Sequence, residues 1–142
     1  MALYFNLPVY KESYELLLMI FQNSSKLPKN YKYTLGERLK NEATEVLVAI
    51  FEASQSKDKN KAVAIQKALN SLEKCRLFIR ILKDLNIWGI SKQANLNQKI
   101  ESISKQLTQW SIHTAYRDWE TDRKSTRLNS SHITRSRMPS SA

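Results

Sequence analysis

The chain has 142 residues and a net charge of +10, which fits one basic domain with a core large enough to need no disulfide or metal. The single cysteine, Cys75, cannot form an intramolecular disulfide, and it lies on an apolar arc that predicts a small core residue rather than a nucleophile. No signal-peptide pattern is present, and the longest apolar run, Leu16 to Phe21, is too short to span a bilayer. We therefore expect a cytoplasmic protein without a membrane partner.

Apolar residues recur at steps of three and four along most of the chain, and only two glycines and three prolines interrupt them, which predicts an all-α fold. Residues 1–8 form a short N-terminal extension. The first amphipathic helix is expected from about Val9 to Asn23, before Pro28. Its apolar positions are Tyr10, Tyr14, Leu17, Leu18 and Phe21.

The following segment, Lys26 to Tyr33, mixes basic and aromatic residues. Such a pattern can bind nucleic acid, with lysines on phosphates and tyrosines stacked on bases. The alternative, which we prefer, is that Leu27, Tyr31 and Tyr33 cover the end of the bundle while the lysines are only solvated.

A second helix is predicted from about Leu35 to Gln55, opened by a capping box of Thr34 and Glu37. Arg38 and Lys40 on its surface could touch phosphate, although ion pairs with nearby glutamates are the simpler interpretation. Its core stripe comprises Leu35, Leu39, Ala43, Val46, Leu47 and Ile50.

The third helix is predicted from Lys61 to Asn86, with Asp58 or Asn60 as its cap. Its second half has an apolar arc of about 200°, twice what a one-sided surface helix needs. The gap in this arc holds Arg76, Arg80 and Lys83, which we call the basic strip. One apolar face is explained by the chain's own core. The other predicts a self-interface, and the basic strip predicts a polyanionic partner; the interface candidates are Leu77, Phe78, Ile81 and Leu85.

Gly89 is expected in a left-handed conformation after this helix, and Ser91 is expected to cap a fourth helix. That helix carries a heptad seam of Leu96, Ile100, Ile103, Leu107 and Trp110. Short connections make sequential helices antiparallel, so residues 9–112 are predicted to form an up-down-up-down four-helix bundle.

Residues 113–142 are expected to be a disordered tail, rich in Ser and Arg and without an apolar period. The segment from Asp122 to Ala142 also resembles the translation of a widely used short-read sequencing adapter, which implies an assembly artefact. It holds five basic residues and one acidic residue, so residues 1–121 keep +6 of the +10.

No pattern in the chain indicates catalysis. His113 is the sole histidine before the suspected artefact, and there is no Glu-x-x-His pair, no CxxC and no glycine-rich phosphate loop. We therefore expect a protein that is not an enzyme and has no metal, no cofactor and no small-molecule substrate.

The order of these features resembles a known four-helix-bundle family. The resemblance covers about Tyr10 to Trp110, and its most specific part is Leu27-Pro28-Lys29 followed by Thr34-Leu35-Gly36. The family includes the accessory variability proteins (Avd) of diversity-generating retroelements and the proteins encoded in intervening sequences of large-subunit ribosomal RNA. Further matches are Tyr14, Leu17-Leu18, Phe21, Arg38, Asn41, Leu72, Arg76, Ile79-Arg80, Lys83-Asp84-Leu85, Ile103 and Leu107.

The resemblance implies a homopentameric barrel without enzymatic activity. It also implies binding of a reverse transcriptase and of template RNA or cDNA through a basic surface, in support of mutagenic cDNA synthesis. Arg76, Arg80 and Lys83 are then the first nucleic-acid contacts, and Arg38 and Lys40 the second. The basic strip would act by neutralising phosphates and releasing counterions.

Three alternatives remain open. A ribosome-associated or stand-alone oligomer of the intervening-sequence type would have no polymerase partner. A purely protein-binding bundle would have its basic strip paired with acids. Arg76 and Arg80 could also be structural and pair with Glu73, Asp84 or a neighbouring subunit's carboxylates.

Overall fold

The computed structural model describes residues 6–129, and side chains over residues 6–116. Within this range the chain forms four long helices and one single-turn helix, with no strand, which confirms the all-α prediction. The elements are α1 (Pro8–Ser24), α2 (Lys29–Lys32), α3 (Leu35–Gln55), α4 (Asp58–Asp84) and α5 (Ile90–Asn129).

The four long helices pack in a closed order. Helix α1 lies against α3 and α5, and α4 lies against the same two helices, so α1 and α4 occupy opposite corners. Ion pairs Lys67–Glu52 and Lys74–Glu42 join α4 to α3 in opposite chain directions. The same antiparallel relation holds between the other neighbours, and the result is an antiparallel four-helix bundle.

The core of the bundle runs along its whole length. The heptad seam of α5 is confirmed, because four of its five residues have no exposed surface and Trp110 packs against the core. The stripe predicted on α3 is also buried, apart from the half-buried Leu35. The fully buried large side chains are Leu16, Ile20, Leu39, Ile50, Ile65, Leu72, Ile79, Leu82, Leu96, Ile100, Ile103 and Leu107.

The buried face of α1 differs from the predicted stripe. Tyr14, Leu18 and Phe21 are between 43% and 47% exposed, so these predicted core positions are wrong. The buried line contains two serines, Ser13 and Ser24, which conceal it from a count of apolar residues. At Ser24 a small side chain suits the packing, because its Cβ would lie 3.9 Å from a Cβ added to Gly36 of α3. The full line is Val9, Ser13, Leu16, Ile20 and Ser24.

Four predicted helix-end residues are wrong in detail, three of them at the ends of α3 and α4. Thr34 makes no capping bond to α3; its hydroxyl donates to the Asn30 carbonyl at 2.7 Å, which closes α2 instead. Asp58 adopts a positive φ of 56° and gives no side-chain cap to α4. Asn86, with φ 62°, takes the left-handed position expected of Gly89.

Asn86 ends α4 in a Schellman motif. The Ile87 and Asn86 amides donate to the Leu82 and Lys83 carbonyls at 3.0 and 2.9 Å, and asparagine tolerates the required left-handed conformation. The turn directs Trp88 inward, where it is 4% exposed. Helix α5 then starts at Ile90, so Ser91 lies inside the helix and is not its cap.

Helix α5 continues past Ile112, where the bundle was expected to end. No glycine or proline occurs between Gly89 and Pro139, so nothing in the sequence interrupts the helix. Thr114 is 5% exposed, so packing extends beyond the predicted boundary. The rest of the expected tail, residues 130–142, lies outside the described residues. Among the residues described, no helix is long and apolar enough to cross a membrane.

Candidate nucleic-acid interface

The basic strip lies on α4 beside α5, and carboxylates surround it. Arg76 is 3.3 Å from Glu73 through Nε and 3.0 Å from Glu101 of α5 through Nη1. Its side chain is 29% exposed, against 74% for Arg80. Arg76 is therefore held between two helices.

The other two cations of the strip share one acid. Arg80 Nε and Lys83 Nζ lie 3.7 and 3.8 Å from the two oxygens of Asp84. Arg76 has two carboxylate neighbours, whereas Arg80 and Lys83 have one between them. Excess positive charge therefore remains at the Arg80–Lys83 end of the strip, and the structural ion-pair alternative fits Arg76 best.

A surface groove of about 480 Å³ runs along the strip between α4 and α5. Cationic, carboxylate and amide groups line it, with Leu77 as an apolar wall. Asn97 Oδ1 is buried there and has no hydrogen-bond partner among the residues that the structure describes. Guanidinium and amide groups at one surface can donate to phosphate oxygens. The lining residues are Glu73, Arg76, Leu77, Arg80, Lys83, Asp84, Gln93 and Asn97.

The secondary candidates on α3 also have partners within the chain. The Arg38 guanidinium lies 5.4 Å from the centre of the Phe78 ring and has no carboxylate partner among the described residues. Lys40 pairs with Glu37 at 2.9 Å and lies over the Phe21 ring at 5.3 Å. Lys40 is thus neutralised locally, while Arg38 keeps its charge available at the edge of α3.

The predicted self-interface divides between surface and core. Leu77 is 54% exposed and Leu85 44%, whereas Ile81 is half-buried. Phe78 is 8% exposed and belongs to the chain's own core, because it faces α3 and meets Arg38. Phe78 is thus misplaced in the predicted set. Leu77 and Leu85 lie on the outward side of α4, and Ile81 packs partly against the core. The role of these three residues in self-association stays a prediction.

The structure has a second exposed apolar surface, which the sequence pattern did not predict. It lies where α1 and α3 meet, and the contact between Lys40 and Phe21 places the two helices side by side there. Three of its residues, Tyr14, Leu18 and Phe21, were predicted in the apolar stripe of α1. The serine-containing buried line of α1 was the signal that could have exposed it. We call Tyr14, Leu18, Phe21, Val48 and Phe51 the α1–α3 apolar surface.

No group of side chains in the described part of the chain could hold a metal ion. Cys75 has no exposed surface, and burial, followed by the nearby charge of Glu42, raises the pKa of its thiol to about 12. A thiol that stays protonated is a poor nucleophile. The prediction that Cys75 is a core residue is confirmed.

The match to a family model covers residues 6–109, which include α1 to α4 and the first half of α5. That model is described as 23S rRNA-intervening sequence protein. This chain belongs to that family. The 23S rRNA-intervening sequence family match confirms one part of the expected resemblance, and it contains the basic strip and both apolar surfaces.

A solved structure supports the fold of this family member. A protein of unknown function from the S23 ribosomal protein family of Bacteroides thetaiotaomicron is 17% identical and superposes with a TM-score of 0.68. The match covers 73% of this chain and 95% of that protein. At this identity the likeness concerns the fold alone. No curated protein matches the chain.

Proposed function

We propose that this member of the 23S rRNA-intervening sequence family is a non-enzymatic cytoplasmic oligomer that binds nucleic acid through a basic surface. The observation that carries the proposal is an excess of cations without acidic partners. Residues 1–121 keep a net +6. Lys26, Lys29, Lys32, Arg38 and Lys92 have no carboxylate partner among the described residues.

The mechanism is phosphate neutralisation. Each cation that contacts a phosphate releases condensed counterions, so affinity falls steeply with salt and depends little on sequence. Arg80 and Lys83 contribute because they share one carboxylate. Arg76 contributes by holding α4 against α5. Lys40 stays paired with Glu37 and plays a smaller part.

Self-association is the second part of the proposal. A cyclic ring needs two different surfaces on each subunit, since one copy's first surface meets the next copy's second surface. This chain offers two: the outward side of α4 around Leu77 and Leu85, and the α1–α3 apolar surface. Because α1 and α4 occupy opposite corners, the two surfaces face away from each other. This arrangement supports head-to-tail association, and the closed homopentamer is the form of it that the family resemblance implies.

The family match does not support the more specific prediction that this protein binds a reverse transcriptase. The family description names an intervening sequence of ribosomal RNA, which favours the stand-alone alternative. The position of the gene distinguishes the two. An adjacent reverse transcriptase with template and variable repeats would support the accessory role, and a location within a ribosomal RNA gene would support the intervening-sequence role.

Binding and mass are the quantities that test the proposal. The full chain is titrated with RNA and with DNA between about 50 and 200 mM salt, and its mass is measured by light scattering. We expect salt-sensitive binding by an oligomer. Leu77→Glu should reduce the mass and leave the helical content unchanged. A wild-type chain that binds neither nucleic acid at the lowest salt would refute the proposed function.

A further inference from the structure

The positive charge of this protein is concentrated at one end of the bundle. That end is formed by residues 21–40, which join α1 to α3, and by residues 80–95, which join α4 to α5. Arg38, in the first segment, lies over the ring of Phe78, which precedes the second segment by two residues, so the two segments lie at the same end of the bundle. They contain two acids, Glu37 and Asp84, and eight bases: Lys26, Lys29, Lys32, Arg38, Lys40, Arg80, Lys83 and Lys92.

These two segments therefore carry +6, which equals the net charge of all residues 1–121. Bases and acids elsewhere in residues 1–121 balance. At the opposite end of the bundle, where α3 meets α4, Lys57, Asp58 and Lys59 together carry only +1. A molecule with such a charge distribution attracts a polyanion to one end. We call the end made by residues 21–40 and 80–95 the basic cap.

The apolar and aromatic side chains of the basic cap are only partly buried in the core. Leu27 is 6% exposed and covers the bundle end, as the structural alternative expected, and Tyr31 is half-buried. Tyr33 is 62% exposed. Lys32 Nζ lies 5.8 Å from the centre of the Tyr33 ring. A flat ring beside a cation offers a nucleotide a stacking surface and a phosphate contact together.

The backbone of the basic cap is held in place. The Tyr31 and Lys32 amides donate to the Pro28 carbonyl at 2.9 and 2.8 Å, which forms α2. Leu27 Cδ1 is packed so closely against Gly36 that an added Cβ would lie 3.0 Å from it. Little conformational entropy is then lost when a ligand binds.

We infer that the basic cap binds an unpaired nucleic-acid strand, with Lys26, Lys29 and Lys32 on its phosphates and Tyr33 stacked on a base. The inference rests on the proposed nucleic-acid-binding function and assigns it a surface and a substrate class. Paired strands bury their base faces, so a stacking residue contributes only on unpaired ones.

Two triple variants of the full chain test the surface. Lys26→Glu/Lys29→Glu/Lys32→Glu changes the basic cap, and Lys57→Glu/Lys59→Glu/Lys105→Glu makes the same charge change near the other end. None of the six lysines has an ion pair among the described residues. Circular dichroism and light scattering establish that both variants keep fold and mass.

Fluorescence anisotropy with single strands of about 16 nucleotides, as RNA and as DNA, gives the readout. We expect the cap variant to bind at least about tenfold more weakly with a smaller salt slope, and the control to stay within about threefold. Equal losses of affinity in the two variants would overturn the assignment of binding to the basic cap, since net charge alone would then explain binding. Wild type that binds no nucleic acid would refute the proposed function itself.

Substitutions of Tyr33 test whether the ligand is an unpaired strand. Tyr33→Ala should weaken single-strand binding by about fivefold or more and leave duplex RNA binding unchanged, and Tyr33→Phe should behave as wild type. The same loss on duplex RNA would overturn the stacking role. The wild type could instead prefer anionic lipid vesicles to both nucleic acids, and the cap variant could lose that preference. This outcome would show that the basic cap binds a membrane surface and not a nucleic acid.

Discussion

Arg76 Nη1 and Glu101 Oε2 lie 3.0 Å apart and join α4 to α5 across the edge of the surface groove. Glu73 pairs with the same guanidinium from the preceding turn of α4. The relationship explains why three basic residues at i, i+4 and i+7 are not equivalent. Arg76 sits in a small network of charges, and Arg80, one turn later, is mostly exposed.

Replacing Arg76 should therefore affect binding little. We expect Arg76→Gln to lower the free energy of unfolding by less than about 1 kcal/mol, since the pair is partly exposed. Its nucleic-acid affinity should stay within about twofold, whereas the Arg80→Gln/Lys83→Gln variant should lose more and show a smaller salt slope. Thermal unfolding and anisotropy measure these effects. An Arg76→Gln loss as large as that of the double variant would contradict this assignment.

Ser13 has a buried hydroxyl that finds no hydrogen-bond partner within the described part of the chain. Ser13→Ala removes the desolvation cost of that hydroxyl and improves helix propensity, so we expect unfolding to require about 0.5 to 1.5 kcal/mol more free energy. Ser25→Ala is the matched control, because the Ser25 hydroxyl is exposed and donates to the Gln22 carbonyl at 2.8 Å. Chemical denaturation compares the two. Ser13→Ala less stable than wild type would show that the hydroxyl has an unseen partner.

The two glycines should respond differently to substitution. A Cβ on Gly36 would lie 3.0 Å from Leu27 Cδ1 and 3.3 Å from the Tyr31 carbonyl oxygen, whereas one on Gly89 would meet no atom of the described residues within 4 Å. Gly36→Val should cost about 1 to 3 kcal/mol through overpacking. Gly89→Ala should stabilise by up to about 1 kcal/mol, since Gly89 has no positive φ.

The Gly36 substitution also reports on the basic cap. Because Leu27 and α2 pack against Gly36, a forced shift should weaken nucleic-acid binding by the Gly36→Val variant at temperatures where it is still folded. Gly89→Ala should bind as wild type does. Circular dichroism establishes the folded fraction before each titration. A Gly36→Val protein as stable as wild type would mean that the α1–α3 connection adapts without cost.

The fold was largely accessible from sequence because helical periodicity is a strong signal in this chain. The bounds of α3 agree with the prediction at both ends, and the α5 seam is buried as expected. The face of α1 was missed because Ser13 and Ser24 occupy core positions. The left-handed residue was missed because Asn86 competes with Gly89 for the turn, and local hydrogen bonding decides between them.

The candidate site was less predictable. Periodicity identified the line of Arg76, Arg80 and Lys83, but it could not place Glu101, which lies on another helix and neutralises Arg76. The concentration of charge at one end depends on which connections share that end, and this follows only once the bundle is assembled. Tyr33 and Phe78 show the same limit, since neighbouring helices determine which aromatic ring is exposed.

Cys75 should be chemically inert while the chain is folded. Burial raises the pKa of its thiol from 9.0 to about 12, so the folded state favours the protonated thiol. The contribution of the protonated thiol to the free energy of unfolding is fully present below pH 9 and is lost as the pH rises toward 12. The free energy of unfolding of wild type should therefore fall more steeply over this range than that of Cys75→Ala.

Thiol labelling checks the same property directly. At neutral pH a disulfide reagent should modify native Cys75 far more slowly than it modifies the chain unfolded in denaturant, because the thiolate is the attacking form and the side chain is enclosed. Fast labelling of the native chain would contradict the burial of this residue.

Lysine protection in the unmodified protein tests the central claim most directly. The full chain is acetylated briefly with and without an excess of a single-stranded RNA, and the modified fraction of each lysine is read by mass spectrometry. We predict that RNA protects Lys26, Lys29, Lys32 and Lys92, and leaves Lys57, Lys59 and Lys105 as reactive as before. Protection at the opposite end, uniform protection, or none at all would contradict the assignment of the basic cap as the nucleic-acid-binding surface.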